Sequence, residues 1–358
     1  MSTGQTIKVL VVDDSAIVRK VLTDAISAEP DLEVVGTAPD PYIARDKILS
    51  LKPDVLTLDI EMPRMDGLTF LKKVMQYHPL PVIIISSLGQ ASCQAALDAL
   101  RFGAVEVLAK PGGPYSVGEL RSSLATKIRA AAAARISRPQ PPQTPPVSSA
   151  PHVPEPVISS SFGPSAVIAL GASTGGTEAL KEVLKRLPAN APGIVITQHI
   201  PPVFSRAFAS RLNEICPMEV KEACDGDLLT AGRALVAPGN FHMLLRKGPD
   251  GYRVQVKDGP QVCYQRPSVD IMFSSVAEVA GNNAVAAILT GMGADGAQGM
   301  LRLKRAGAKT IAQDEASCVV FGMPREAIRV GAADRVVSLL QVAPAILAEL
   351  HAPVLAGR

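Results

Sequence analysis

The sequence predicts two doubly wound, parallel-sheet α/β domains in series, joined by a proline-rich linker. Three observations predict this. Short β-rich runs alternate with amphipathic stretches on both sides of a Pro/Ser-rich segment. The runs are apolar at nearly every position, as strands covered on both faces must be. Finally, 358 residues at roughly 150 per domain, 47% of them apolar, are enough for two or three separate cores.

In the first block, 8–12, 32–37, 55–58, 81–85 and 105–108 read as strands with helices between them, and 117–135 reads as a last helix. From 138 to 164 the chain runs RPQPPQTPPVSSAPHVPEPVISSSFGP, which carries neither helical nor strand periodicity and reads as an extended, semi-rigid connector. In the second block the strands are 166–170, 194–197, 234–236, 284–289 and 309–312. One unit departs from the alternation: 241–246 and 252–257 flank Lys247-Gly248-Pro249-Asp250-Gly251, the composition of an antiparallel hairpin turn. The expected boundaries are 1–130, a linker over 131–163, and 164–358.

Composition narrows the function classes. Lys plus Arg total 36 against 33 Asp plus Glu, and a net charge of +3 makes too weak a field for nucleic acid or anionic lipid. With no Trp and 4% aromatics, base-stacking platforms are scarce. The five cysteines lack C-x-x-C spacing, which argues against a disulfide framework or a zinc site and fits a reducing compartment. No run approaches the ~18 apolar residues of a spanning helix, and Asp13 and Asp14 follow the first apolar run too soon for a secretory leader. A cytoplasmic protein with no membrane insertion is expected.

Open α/β sheets bind ligands beyond the carboxyl ends of their strands. In the first block Asp13 and Asp14 end the first strand, Asp59 the third, Ser86 the fourth and Lys110 the fifth. Three converging carboxylates repel, which implies a hard divalent cation with oxygen ligands, Mg²⁺ above all, on Asp13, Asp14 and Asp59. A metal there suits phosphoryl chemistry, with Lys110 pairing the phosphate oxygens and the Ser86 hydroxyl bonding one of them.

In the second block the first strand runs into Gly171-Ala172-Ser173-Thr174-Gly175-Gly176 and then a helix from about Thr177 to Leu187. The turn displays a hydroxyl at the sheet edge beside free helix-start N–H groups. It suits a nucleophile with an oxyanion hole, an anion site, or a plain tight turn. A nucleophilic serine needs a base and a group to orient it. Of five histidines, His78, His152 and His351 lie in the first block, the connector and the tail. His199, just past the strand 194–197, shares the edge of Ser173. His242, near the hairpin, is read as structural or as a substrate contact. Asp295, in the loop Thr290-Gly291-Met292-Gly293-Ala294-Asp295-Gly296, can orient His199, and Thr174 and the Met292 N–H are candidates for the oxyanion hole. The chain order Ser173, His199, Asp295 is not that of α/β-hydrolases, so another fold is expected despite the G-x-S-x-G pattern.

Over residues 5–130, the Asp pair, the loop DIEMPRMDG after the third strand, Ser86 and Lys110-Pro111 resemble a response-regulator receiver domain, flavodoxin-like in fold. GASTGG, TQHIPP, APGNFHM, RPSVD and TGMGADG, with that N-terminal block and the tether, resemble the chemotaxis protein-glutamate methylesterases, whose esterase domain is Rossmann-like, along nearly the whole chain. The resemblance implies that Asp59 takes a phosphoryl group from a chemotaxis histidine kinase. It also implies hydrolysis of glutamate γ-methyl esters, and deamidation of selected glutamines, on methyl-accepting chemoreceptors during adaptation. Ser173, His199 and Asp295 would be the catalytic group, with no cofactor in the esterase domain, and the unphosphorylated receiver would cover the site. One position departs: many receivers carry an aromatic switch three residues before the lysine, where this chain has Val107. The residues of RPSVD, Arg266, Ser268 and Asp270 among them, have no role that the sequence supplies.

Overall fold

The computed structural model describes residues 6–110, 117–136, 162–163 and 165–351. Residues 137–161 and Pro164, the greater part of the connector expected over 138–164, lie outside the described residues.

The first domain alternates β1 (Ile7–Val12), α1 (Ala16–Ser27), β2 (Leu32–Ala38), α2 (Pro41–Leu51), β3 (Val55–Asp59), α3 (Gly67–Tyr77), β4 (Val82–Ser86), α4 (Gln90–Arg101), β5 (Glu106–Ala109) and α5 (Val117–Ala132). The five strands are all parallel in the order β2-β1-β3-β4-β5. Every residue of the three central strands except the start of β1 is buried, which is why the apolar runs are unbroken. Asp13, Asp59 and Ser86 fall at the carboxyl edge, where β1 and β3 flank the reversal of strand order.

The second domain runs β6 (Val167–Ala172), α6 (Gly176–Leu184), β7 (Gly193–Gln198), α7 (Phe204–Ile215), β8 (Glu219–Glu222), β9 (Arg233–Val236), β10 (His242–Gly248), β11 (Gly251–Lys257), α8 (Val269–Val279), β12 (Ala284–Ile288), α9 (Ala297–Arg305), β13 (Lys309–Gln313), α10 (Met323–Arg329), β14 (Arg335–Val337) and α11 (Leu339–His351). Seven strands form one parallel sheet, β14-β13-β12-β6-β7-β9-β8, and β10 with β11 forms the expected hairpin apart from it. The hairpin packs through Met243, Leu245 and Val254 onto the core shared with Met272, Phe273 and Val276 of α8.

Two strands were not expected from sequence. β8 (EVKE) and β14 (RVV) are the sheet edges, short and charged, so they lack the apolar runs by which the inner strands announce themselves. The last helix of the first domain is shorter than the 117–135 span predicted. It ends at Ala132, past which Arg135 leaves the helix to bond the second domain.

Among the described residues the domains touch at the following places. Leu97 of α4 lies beside Phe208 and Leu212 of α7, with Asp98 and Arg211 paired at 2.8 Å. Thr174 Oγ1 donates to Glu106 Oε2 at 2.9 Å, both residues buried. Arg135 binds Glu315, and its N–H donates to the Val319 carbonyl at 2.9 Å.

Candidate active site and acidic pocket

Strand register builds the first half of the site. β6 and β7 pair as neighbours with Ala172 opposite Gln198, so Ser173 and His199 each stand one residue past the last rung, side by side. The His199 N–H donates to the Ala172 carbonyl at 3.2 Å, extending the pairing one step. Gln198 Nε2 donates to the carbonyls of both Ser173 (2.8 Å) and His199 (3.2 Å), so one buried amide ties the two loops together. The turn leaves no room for another side chain: a Cβ on Gly176 would stand 2.1 Å from Gln198 Oε1 and 2.6 Å from the Ala172 Cβ.

β12 lies on the other side of β6, with Ile288 opposite Gly171, and its loop carries Asp295 back toward β7. His199 Nε2 meets Asp295 Oδ2 at 2.8 Å, with both side chains 2% exposed. A carboxylate accepts, so Nε2 holds the proton and Nδ1 is left with its lone pair. Nδ1 is buried and has no hydrogen-bond partner among the described residues. The three sequence-predicted residues therefore share one rim, at the point where strand order reverses around β6. The bond between the Ser173 hydroxyl and Nδ1 is not formed in this structure.

Asp295 is held from a segment that sequence reasoning left without a role. Its Oδ1 accepts from Ser268 Oγ (2.8 Å) and the Asp270 N–H (3.0 Å), and its Oδ2 also accepts from the Val269 N–H (2.7 Å). Asp295 thus sits on the N-terminus of α8, whose N-cap is Ser268. Burial opposes its charge, but the bonds from His199 and from the Asp270 and Val269 N–H groups prevail and hold its carboxyl below the ordinary carboxylate range. Asp270 returns the arrangement by accepting from Gly299 N–H of α9 at 2.6 Å.

Both oxyanion candidates lie at this rim. The backbone N–H groups of Thr174 and Met292 make no hydrogen bond among the described residues, and Met292 lines a cleft of about 360 Å³ between the domains. Val107, Lys110 and Lys127 bound the cleft from the first domain, and His199, Arg266 and Asp295 from the second. The Thr174 hydroxyl is engaged with Glu106, which Lys127 also pairs at 2.6 Å. His242, 1% exposed, bonds the Ser268 N–H and the Pro260 carbonyl and is not a cleft residue.

In the first domain one carboxylate oxygen from each of Asp13, Asp14 and Asp59 lies within 4.8 Å of the others, a hard oxygen set. Lys110 Nζ reaches Asp59 at 2.7 Å and Asp13 at 3.3 Å. One ammonium against three carboxylates leaves an excess of negative charge. Burial above all, with the neighbouring Asp13 charge adding to it against the pull of Lys110, raises Asp59 to about 6. The donor set and the uncompensated charge both fit a divalent cation. Ser86 is buried at the end of β4, beside Asp59 in the sheet, with its hydroxyl on the Ser87 and Ser92 carbonyls at 3.3 Å.

Comparison with known proteins bears on both halves. Residues 168–346 match the family model for CheB methylesterase, and residues 9–121 that for the response regulator receiver domain. The chain is 56% identical over 95% of its length to a protein-glutamate methylesterase/protein-glutamine glutaminase of Syntrophus aciditrophicus, covering 98% of that protein. It is 51% identical over 97% of its length to the protein of the same name from Salmonella typhi, covering 97% of it. Among solved structures, the Thermotoga maritima CheB methylesterase catalytic domain aligns with a TM-score of 0.50 at 36% identity, over 51% of this chain and 98% of that one.

Proposed function

The chain belongs to the CheB methylesterase family, with a receiver domain at its N-terminal end, and from that membership we propose that it removes methyl groups from glutamate γ-methyl esters of chemoreceptors, with Ser173, His199 and Asp295 as the catalytic group. It is a protein-glutamate methylesterase/protein-glutamine glutaminase under phosphorylation control. We take residues 1–130 as the receiver, 131–163 as the linker and 164–358 as the catalytic domain. The proposed place of work is the cytoplasm. Among the described residues no helix is long and apolar enough to cross a membrane.

The observation that carries the residue roles is the His199–Asp295 bond of 2.8 Å, which puts the proton on Nε2 and a free lone pair on Nδ1 at the rim shared with Ser173. In the proposed reaction Ser173 Oγ attacks the ester carbonyl carbon while His199 Nδ1 takes the hydroxyl proton. The carbonyl electron pair moves onto oxygen, where the N–H groups of Thr174 and Met292 stabilise it. The pair returns, the bond to methoxide breaks, and Nδ1–H protonates the leaving oxygen to give methanol. Water then attacks the acyl-enzyme, with Nδ1 as base, releasing the glutamate carboxylate and restoring Ser173. From a glutamine side chain ammonia leaves in place of methanol. Asp295 stays ionised throughout and stabilises the imidazolium.

In the receiver, Asp59 is the proposed phosphoryl acceptor from a histidine kinase. Asp13, Asp14 and Asp59 would hold Mg²⁺, which when bound neutralises charge on the incoming phosphoryl group. Lys110 and Ser86 would then bond the phosphate oxygens.

The test is methanol release from methylated receptor membranes, with and without a small phosphodonor plus Mg²⁺. Ser173→Ala should release none under either condition, and Asp59→Asn should keep the basal rate and lose the stimulation. Methanol release by Ser173→Ala would end the nucleophile assignment.

A further inference from the structure

The geometry points to His242 and Ser268 as positioning residues that hold Asp295 in place beneath His199. This rests on the catalytic reading above. Asp295 accepts four hydrogen bonds, and three of them come from Ser268 Oγ, Val269 N–H and Asp270 N–H, the first turn of α8. The carboxylate therefore stands wherever that turn stands.

His242 fixes the turn from behind. The Ser268 N–H donates to His242 Nδ1 at 3.2 Å, and His242 Nε2 donates to the Pro260 carbonyl at 2.9 Å. An amide N–H can only donate and a carbonyl can only accept. The ring is thus confined to one neutral tautomer with both nitrogens occupied. It is 1% exposed and Ser268 is fully buried, so the bond between them is shielded from water, while the Pro260 end lies nearer the surface. Gly259 presses close, where a Cβ would lie 3.3 Å from His242 Cδ2. Arg266 braces the same loops from the other side, through Asn240 Oδ1 at 2.7 Å and the Gly259 carbonyl at 2.6 Å. A continuous line of hydrogen bonds then runs from Pro260 through His242, Ser268 and Asp295 to His199, buried from His242 inward.

A packing role and a positioning role separate by which nitrogen is replaced. His242→Asn keeps an acceptor oxygen close to the Nδ1 position and gives up the Pro260 bond. His242→Gln keeps a donor close to the Nε2 position and gives up the acceptor for the Ser268 N–H. Both are compared as phosphorylated full chains. His242→Asn should retain kcat within about threefold. His242→Gln should lose roughly 10- to 100-fold in kcat with KM little changed, the range for removing a support of a catalytic group. The downfield proton signal of the His199–Asp295 bond should persist in the first and shift in the second. Equal kcat in the two variants, whether both high or both low, overturns the inference. Should His242→Gln fail to fold, Ser268→Ala carries the test: it should lower kcat tenfold or more at constant KM, and an unchanged kcat overturns the inference. Ser173→Ala, run alongside, separates the two levels, because methanol release by that chain would sink the catalytic reading itself.

Discussion

Asp295 does two jobs with one carboxylate, and substitution should expose both. It bonds His199 Nε2, and it accepts from the free Val269 and Asp270 N–H groups at the start of α8. Asp295→Asn is isosteric but replaces an acceptor oxygen by a donor amide, so kcat should fall by ~10³–10⁴-fold through the wrong tautomer. The chain should also lose about 1 kcal/mol of stability, the usual cost of losing a helix cap. The stability difference depends on pH in a stated direction. The folded state holds Asp295 below its ordinary value, so its contribution is complete above the ordinary carboxylate range and is lost as pH falls through the folded value. Unfolding midpoints of the two chains should differ at neutral pH and converge in acid, and a constant gap would refute the account. Ser173, His199 and Asp295 stood out as candidates in the sequence because each lies in a glycine- or proline-bearing segment that follows a strand at the carboxyl edge, where chemistry is displayed. Gln198 and Ser268 received no role from the sequence, and His242 only the reading of a structural residue or a substrate contact, because what all three hold is decided by contacts 25 to 27 positions away.

At the scale of elements, β5 links the two sites. Lys110 follows its carboxyl end and pairs with Asp59 and Asp13, Glu106 opens it, and Val107 between them lines the interdomain cleft. Glu106 accepts from Thr174, the residue after the proposed nucleophile, and from Lys127 of α5. A four-residue strand thus ends at the acidic pocket proposed to take the phosphoryl group and begins at the turn proposed to carry the nucleophile. Where many receivers use an aromatic switch this chain has valine, so a shift of β5 carrying the buried Glu106 contact is the coupling we expect. A hydrogen bond to a buried charged group is worth roughly 1.5–3 kcal/mol. Glu106→Ala should therefore raise methanol release by the unphosphorylated chain about tenfold or more and leave the phosphorylated rate unchanged. No rise in the basal rate would remove Glu106 from the coupling. The inner strands were readable because parallel strands covered on both faces are apolar throughout. β8 and β14 were unreadable because sheet edges carry charge and little length.

At the scale of the molecule, the restraint expected of an unphosphorylated receiver would require a single phosphoryl group to shift one domain against another, which would limit how tightly they can be joined. Moving an equilibrium from 1:99 to 99:1 takes about 5.5 kcal/mol. Among the described residues the contacts include the apolar patch at Leu97, the packing of Val319 on the first-domain core, the buried hydrogen bond at Glu106, the Arg135–Val319 backbone bond and the ion pairs of Asp98 and Glu315, each of a size that can be traded. Arg135 and Glu315 are both more than half exposed, so that pair is worth little and is weakened by salt. None of this could be read from the sequence, where Leu97, Asp98 and Arg211 look like any helix surface and only the tether betrays two blocks. A tether makes weak closure sufficient, because it holds the covering domain at an effective concentration in the millimolar range. Cutting it should therefore release the site outright. A chain beginning at Gly163 should release methanol faster than the unphosphorylated full chain and at least as fast as the phosphorylated one. Added salt should raise the rate of the full chain relative to the shortened one, since only the full chain has interdomain ion pairs to screen. If the shortened chain is no faster, the receiver does not restrain the esterase, and the contact between Glu106 and Thr174 is a mere abutment of two folded domains.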